Sequence, residues 1–404
     1  MLSAYIVLLS GWAAIAAGPA PSLQTASVQH PGAPAAARLS APGVTKTIVD
    51  KAPAKASYKT AALAGKLYAF EYEDDESTDA GVLASGGHVY VYDPSARTWR
   101  TRAAMLVKKS NYSLAAVDGK VYIIGVFTAP GTLSRSVEEY DPAADRWTIR
   151  ASMPTARCRI GVVVLNGRIY ALGGKTERGL TDAVEEYDPS ADAWTARRRL
   201  SRPLMGVHAA AVNGRIYKLK GTSLSDRGGF EMIMDFEEYD PAAGTWTPKS
   251  PWLWEKEPLE AVAIGGRFFA VGGGMYADAS VRSMKEYDIA SGKWIFRRDM
   301  PDPAAHTIHF TWAVLDGKLY TFGGGCRAGD GWRAFSYAQR YDPETDTWEE
   351  LPSLAQNRIG MSAAVIGNSI YLLGGETTGA AAIDGQRNEY SGLMEIYEVS
   401  GAGK

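Results

Sequence analysis

The hydrophobic positions of this chain fall in short runs separated by turn residues, and they follow a strand pattern. An Ala/Val-rich run such as Gly161 to Leu165 or Ala209 to Val212 comes first. A Gly or Asn-Gly turn then leads into a second apolar run carrying an aromatic residue. This pair recurs seven times, with the aromatic at Tyr68, Tyr122, Tyr170, Tyr217, Phe269, Tyr320 and Tyr371. Asn-Gly and Asp-Gly between apolar runs signal a tight hairpin, because a type I′ turn needs positive φ at both central residues. Each unit therefore opens with strand a, a two-residue turn and strand b. A variable loop follows, then strand c with sequences such as Val-Glu-Glu-Tyr at 137 to 140 and 184 to 187. Asp-Pro turns the chain into strand d.

Strand d carries the second landmark. Six times a Tyr is followed seven residues later by a Trp: Tyr92/Trp99, Tyr140/Trp147, Tyr187/Trp194, Tyr239/Trp246, Tyr287/Trp294 and Tyr341/Trp348. The tryptophans recur every 47 to 54 residues. A fixed short spacing inside such a period means one structural unit copied along the chain. A four-stranded antiparallel meander cannot bury both faces alone, so copies pack face to face. Radial packing of such units makes a β-propeller, with Tyr and Trp filling the wedges between blades.

A Gly pair follows strand b at Gly173-Gly174, Gly272-Gly273, Gly323-Gly324 and Gly374-Gly375, where backbones would approach closely. Together with Tyr-Asp-Pro and the offset Trp, these residues resemble the kelch motif over roughly 44 to 400. The resemblance implies an all-β, seven-bladed propeller of four-stranded antiparallel kelch blades. Local departures are Phe70-Glu71, Gly125-Val126 and Lys220-Gly221 at the place of the Gly pair. The seventh unit ends in Leu393 to Val399, and its Trp position would fall at residue 404, where the given sequence stops. Counting back 23 residues from Tyr68, the offset seen in most units, lands on Thr45, within Val44 to Val49. This N-terminal strand is expected to complete the last blade and remove a free sheet edge.

A hydrophobic content of 46% and a net charge of −2 fit a soluble β-rich protein and argue against general nucleic-acid binding. Two cysteines, Cys158 and Cys326, cannot make a disulfide framework. Residues 2 to 17 are apolar and end in Ala14-Ile15-Ala16-Ala17, without a Lys or Arg before them. This pattern predicts a signal peptide over 1–20, an Ala/Pro-rich linker over 21–43 and the propeller over 44–400. The mature chain is then secreted or periplasmic, monomeric and without a membrane span. The alternative is a cytoplasmic protein with an apolar leader.

In an up-and-down meander the b–c loops and the d–a connections between blades emerge on one face, where variation collects. Thirteen residues before the strand-b aromatic stand Lys55, Lys109, Arg157, Leu204, Lys256, Thr307 and Arg358. Eleven before it stand Ser57, Asn111, Arg159, Gly206, Pro258, His309 and Gly360. Basic residues converging on a mouth predict an anionic ligand, either an acidic peptide or a carboxylated sugar. The resemblance implies the same use: in the kelch adaptor that recruits an acidic peptide to a ubiquitin ligase, arginines at these offsets grip carboxylates. Arg157, Arg159 and Arg358 match them by position. The alternative is that such cations are solvated or cap a neighbouring loop.

Trp332, outside the repeat's Trp position, and Arg327 beside it in the blade-6 loop are candidates for ligand contact. The acidic run Glu71, Glu73, Asp74, Asp75, Glu76 and Asp79 fits no EF-hand spacing and is expected in solvent. His306 and His309 lie three apart, on opposite faces of an extended strand, and no third ligand accompanies them. No metal or cofactor is expected.

The reading favoured is non-catalytic binding of a protein, peptide or anionic sugar at the loop face. Nothing in the sequence resembles the BTB domain of the ligase adaptors. The alternative is an exported sugar mutarotase or epimerase of kelch type, or a carbohydrate binder using Trp332, Tyr276, Trp252 and Trp254. Acid/base chemistry would need a carboxylate beside a cation or His near the axis, for which Glu257 and Glu260 are available. The copper-radical oxidases of this fold need a Tyr-His dipeptide, which the chain lacks.

Overall fold

Every paired run of the sequence becomes a hairpin in the computed structural model. The structure describes residues 43–50, 52–53, 57–72, 87–106, 111–129, 132–225, 229–250, 260–272, 283–301, 310–328, 331–377 and 390–400. Among these there is no helix, and seven antiparallel sheets form the blades of a β-propeller. Blade 1 is built from Ser57–Leu63, Lys66–Tyr72, Val89–Asp93 and Thr98–Arg102, as strands a to d. Blade 2 uses Ser113–Val117, Lys120–Ile124, Val137–Asp141 and Arg146–Arg150; blade 3 uses Gly161–Leu165, Arg168–Leu172, Val184–Asp188 and Ala193–Arg197. Blade 4 has Met205–Val212, Arg215–Leu224, Glu237–Asp240 and Thr245–Pro248, with Phe230–Ile233 added beside its strand b. Blade 5 has Glu260–Ile264, Arg267–Val271, Met284–Asp288 and Lys293–Arg297, and blade 6 has Thr311–Leu315, Lys318–Phe322, Ala338–Asp342 and Thr347–Glu350.

Blade 7 takes Ser362–Ile366, Ser369–Leu373 and Leu393–Val399 from the end of the sequence and Val44–Asp50 from its beginning. The closing strand is the expected one, but its register is one residue later than the count. Lys46, not Thr45, pairs with Tyr397, as Trp147 pairs with Tyr140.

The turns follow their sequence. Asp118, Asn166, Asn213 and Asp316 all have φ between 48° and 52°, and the glycine after each is also positive. That is the type I′ geometry that Asn, Asp and Gly supply at least cost. In the c–d turns the Asp of Asp-Pro accepts backbone N–H groups two and three residues on, as Asp141 does from Ala143 at 2.9 Å.

The core lies in wedges between blades. Each Tyr/Trp pair of the repeat packs with ring centroids 4.9–5.3 Å apart. The same two landmarks also tie several seams by hydrogen bonds. Trp147 Nε1 donates to Ala103 O at 2.9 Å, while Asp145 accepts both Ala103 N–H and the Tyr140 hydroxyl. Blade 2 thus captures both backbone groups of one residue in blade 1. Trp194, Asp192 and Tyr187 repeat the stitch on Ala151, and Trp348, Asp346 and Tyr341 repeat it on Arg298.

The Gly pair sits where the next blade begins. A Cβ on Gly173 would lie 2.2 Å from Leu204 O, and one on Gly323 would lie 2.4 Å from Arg358 O. The second glycine uses that closeness: Gly174 N–H donates to Leu204 O and Gly324 N–H to Arg358 O.

Candidate functional site

The a–b and c–d turns leave the propeller on one face and are stereotyped. The other face, the mouth, carries connections that differ from blade to blade. Small ribbons stand there: Val126–Ala129 with Thr132–Ser134, Lys175–Thr176 with Gly179–Leu180, and Gly325–Ala328 with Gly331–Ala334. The last places Arg327 and Trp332 opposite each other across a hairpin in the blade-6 loop. Lys55, Lys109, Lys256, His306, His309, Glu257, Trp252, Trp254, Tyr276 and the acids from Glu73 to Asp79 lie outside the described residues.

The two described arginines of the offset-thirteen row do not face the mouth. Arg157 and Arg358 are fully buried. Arg157 donates to the carbonyls of Gly173 at 2.7 Å, Ala183 at 2.8 Å and Ala171 at 3.2 Å, and to Glu185 at 2.9 Å. Arg358 donates to the carbonyls of Gly374 and Leu393 and to Glu395. Burial pulls both guanidinium pKa values down, opposed by the carboxylate partner, Glu185 or Glu395. The expected ligand grips are therefore internal braces. Each closes the end of its own b–c loop, where carbonyls freed by the Gly pair need a donor.

The braces depend on a glutamate two residues before the repeat Tyr. In blade 4 that glutamate is Glu237, and the offset-thirteen residue is the buried Leu204. The cation comes instead from strand b: Lys218, fully buried, reaches Glu237 at 2.6 Å. One buried carboxylate position is thus neutralised from the d–a connection in blades 3 and 7 and from strand b in blade 4.

The offset-eleven row has a different logic. Asn111, Arg159, Gly206 and Gly360 all have positive φ, 51° to 63°. The d–a connection turns there through the left-handed region, which Gly and Asn enter readily and Arg does not. Arg159, itself buried with 8% of its surface exposed, is held there in a conformation its neighbours in the row meet with cheaper residues.

A third row, nine residues before the strand-b aromatic, escaped the sequence reading apart from Glu260. It holds Lys59, Ser113, Gly161, His208, Glu260, Thr311 and Ser362, at the mouth end of the innermost strands. In three seams its side chains are small and bond the adjoining blade: Ser113 Oγ to Ile160 O at 3.2 Å, Thr311 Oγ1 to Met361 O at 2.8 Å, and Ser362 Oγ with Thr60 Oγ1 at 2.8 Å. Between blades 4 and 5 the row is ionisable. His208 Nδ1 lies 3.5 Å from Glu260 Oε2, and Lys220 pairs across the sheet with His208. Burial and Lys220 hold the His208 pKa below its ordinary value. Burial pushes Glu260 up, but His208, Lys220 and Trp312 outweigh it and the net shift is downward.

In blade 1, Glu71 lies at the place of the Gly pair. It is not in solvent as expected: it meets His88 Nδ1 at 2.8 Å and accepts from the Tyr90 hydroxyl at 3.2 Å. Burial and Glu71 together raise the Tyr90 pKa to about 12. No group of three or more His, Cys, Asp or Glu side chains among the described residues is placed to hold a metal. No helix there is long and apolar enough to cross a membrane.

Seven radial blades of this connectivity define the class as a seven-bladed β-propeller. The Kelch motif model matches residues 108–154, 156–199 and 308–355. Relatives include Kelch-like protein terF of Aspergillus terreus, 37% identical over 28% of this chain and 26% of that protein. Kelch-like protein 25 of Xenopus tropicalis is 27% identical over 35% of this chain and 23% of that protein. Human Kelch-like protein 23 is 28% identical over 40% of this chain and 28% of that protein. The chain thus spans about a quarter of the length of the curated relatives it matches. A solved structure of YjhT shares the fold, with a TM-score of 0.52 and 17% identity over 69% of this chain and 92% of that one. The repeated Kelch motifs, the Kelch-like relatives and the shared fold together support a kelch-repeat β-propeller.

Proposed function

We propose that this propeller is a non-catalytic binding module whose mouth, formed by the b–c and d–a connections, holds an acidic peptide or another anionic ligand. The observation that carries this reading is Arg159. Its backbone occupies the left-handed region at a row position where the blade itself needs only Gly or Asn. Backbone strain of about 1–2 kcal/mol, kept at a loop bearing a guanidinium, points to a use for that guanidinium beyond the fold. The different ribbon lengths around the mouth support a ligand-specific surface there. Arg157 and Arg358 would hold the loops in place, and Arg159 with the blade-6 hairpin of Arg327 and Trp332 would meet the ligand.

The test is Arg159→Gly. Thermal unfolding of wild type and variant would be followed with glutamate-rich peptides and with acidic sugars, since a ligand of the native state raises the midpoint. The reading expects a peptide-dependent rise in wild type that is absent from the variant. Equal shifts in both proteins would remove Arg159 from the ligand and with it the reading.

A second reading, acid/base chemistry on a small carbohydrate by an exported protein, draws support from one observation. Glu260, available for that role from sequence, stands against His208 at the mouth end of the axis. An assay for anomer interconversion of acidic sugars would separate the two readings.

A further inference from the structure

At the seam of blades 4 and 5 the fold carries more chemistry than it uses. Between blades 2 and 3 and between blades 6 and 7 a Ser or Thr hydroxyl closes the seam through one hydrogen bond to the adjoining blade. Between blades 3 and 4 no side chain is needed, since a Cβ on Gly161 would come within 2.6 Å of Val207 O. His208 and Glu260 replace those small groups with an imidazole and a carboxylate, and Lys220 replaces the first glycine of the pair. Burying three ionisable side chains costs desolvation that a serine would avoid, and no backbone constraint in the row demands them. Such groups are retained where their chemistry is used.

The arrangement around the ring is specific. Glu260 approaches Nδ1, which places the N–H of the neutral imidazole there and leaves the lone pair on Nε2. Among the described residues Glu260 is the group that holds the ring. The charged groups facing it there are Glu260 from blade 5 and Lys220 from its own blade. The side chain, at the mouth end of strand a, keeps 14% of its surface exposed.

We propose that His208, oriented by Glu260, is a proton-accepting site that engages a small ligand through an acidic hydroxyl, with the Lys220 ammonium balancing the negative charge left on the ligand oxygen. The ligand O–H bond breaks, its proton passes to Nε2, and the electron pair stays on oxygen. The imidazolium formed is held by Glu260, and no co-reactant enters. The inference rests on the geometry of this pair and holds whether the mouth takes a peptide or a sugar.

The experiment uses the full chain, labelled with 15N in histidine. Correlation spectra of the rings give the tautomer, and mass spectrometry after diethyl pyrocarbonate treatment gives the reactivity of each histidine. His88, half exposed and on the opposite side of the ring of blades, is the internal reference. The expected result is a neutral His208 at pH 7 with its proton on Nδ1, carbethoxylated at Nε2. Glu260→Gln should slow that reaction about tenfold, the scale at which an outer partner tunes a histidine. Lys220→Gln should raise the protonation midpoint of His208. p-Nitrophenol, a small acidic hydroxyl, should protect His208 in wild type and not in Lys220→Gln. A proton on Nε2, an inert His208 beside a reactive His88, or a reaction unchanged in Glu260→Gln would overturn the proton-accepting role. No protection by p-nitrophenol would overturn the hydroxyl ligand. Far-ultraviolet circular dichroism of both variants separates these outcomes from misfolding.

Discussion

Blades 3 and 4 are neighbours with the same repeat landmarks, yet they treat the same buried glutamate differently. In blade 3 the cation descends from the d–a connection: Arg157 grips Glu185 and three carbonyls, and the Gly pair lets the next blade come close. In blade 4 the cation rises from strand b as Lys218, the first glycine of the pair is Lys220, and the mouth end of strand a carries His208. Blade 3 spends its charges on closing its own loop. Blade 4 neutralises its glutamate from within the sheet, and its remaining ionisable groups gather toward blade 5. A basic residue at a kelch mouth is therefore not evidence of a ligand until its carboxylate partner has been located.

The largest effect should come from removing a brace. Arg157→Met leaves Glu185 buried without its cation, and urea unfolding should show a loss of about 3–5 kcal/mol. Arg157→Met/Glu185→Leu should recover only the part due to the unpaired charge, because the carbonyls of Gly173, Ala183 and Ala171 still lack their donor. Arg358→Met should cost less, because Lys46 of the closing strand stands 3.3 Å from Glu395 and remains. Equal losses at the two sites would show that the closing strand does not share the charge.

Next in size is the Gly pair. Gly173→Ala puts a methyl against Leu204 O at a residue with φ of 59°, and unfolding should be easier by about 1–3 kcal/mol. Lys220→Ala, at the equivalent place in blade 4, meets no such backbone restriction and should show no comparable loss. The seam stitch is smaller still. Trp147→Phe keeps a ring in the wedge but loses the hydrogen bond to Ala103 O, worth about 1 kcal/mol in the same measurement.

The smallest effect separates the seams by pH. Unfolded histidine takes its proton near pH 6.5, whereas His208 resists it in the fold. Its contribution is fully present above that pH and declines as pH falls through the lower folded midpoint. Glu139 has its pKa lowered to about 2: burial opposes ionisation, but Arg150, Lys120 and Tyr122 outweigh it. Its contribution is present above about pH 4.5 and is lost toward pH 2. His208→Gln should therefore flatten stability between pH 7 and 5 and leave the Glu139 contribution below 4.5 in place. A variant as pH-sensitive as wild type in the upper range would assign that dependence elsewhere.

Much of the architecture was legible because it repeats. The turn glycines, the Tyr/Trp spacing and the closing strand each follow from residues whose role is local or copied from blade to blade. The one-residue error at Lys46 arose because the closing segment lacks the Trp that marks the register elsewhere. The site was less legible. Counting placed Arg157 and Arg358 near the mouth, but their depth depends on Glu185 and Glu395, which lie 28 and 37 residues further on. A signal was available: both arginines coincide with a glutamate two residues before the repeat Tyr. His208 was missed because sequence pattern marks strand a by its apolar positions, and the polar row at its end emerges only when the seven blades are compared.

The most direct test of this division between brace and ligand group compares two arginines that stand two residues apart. Urea unfolding of Arg157→Met and Arg159→Gly would be measured beside wild type. A loss of about 3–5 kcal/mol in the first and a clearly smaller one in the second is the result expected of a brace and of a residue whose replacement also relieves left-handed strain. A stable Arg157→Met, or an equal loss in Arg159→Gly, would contradict it.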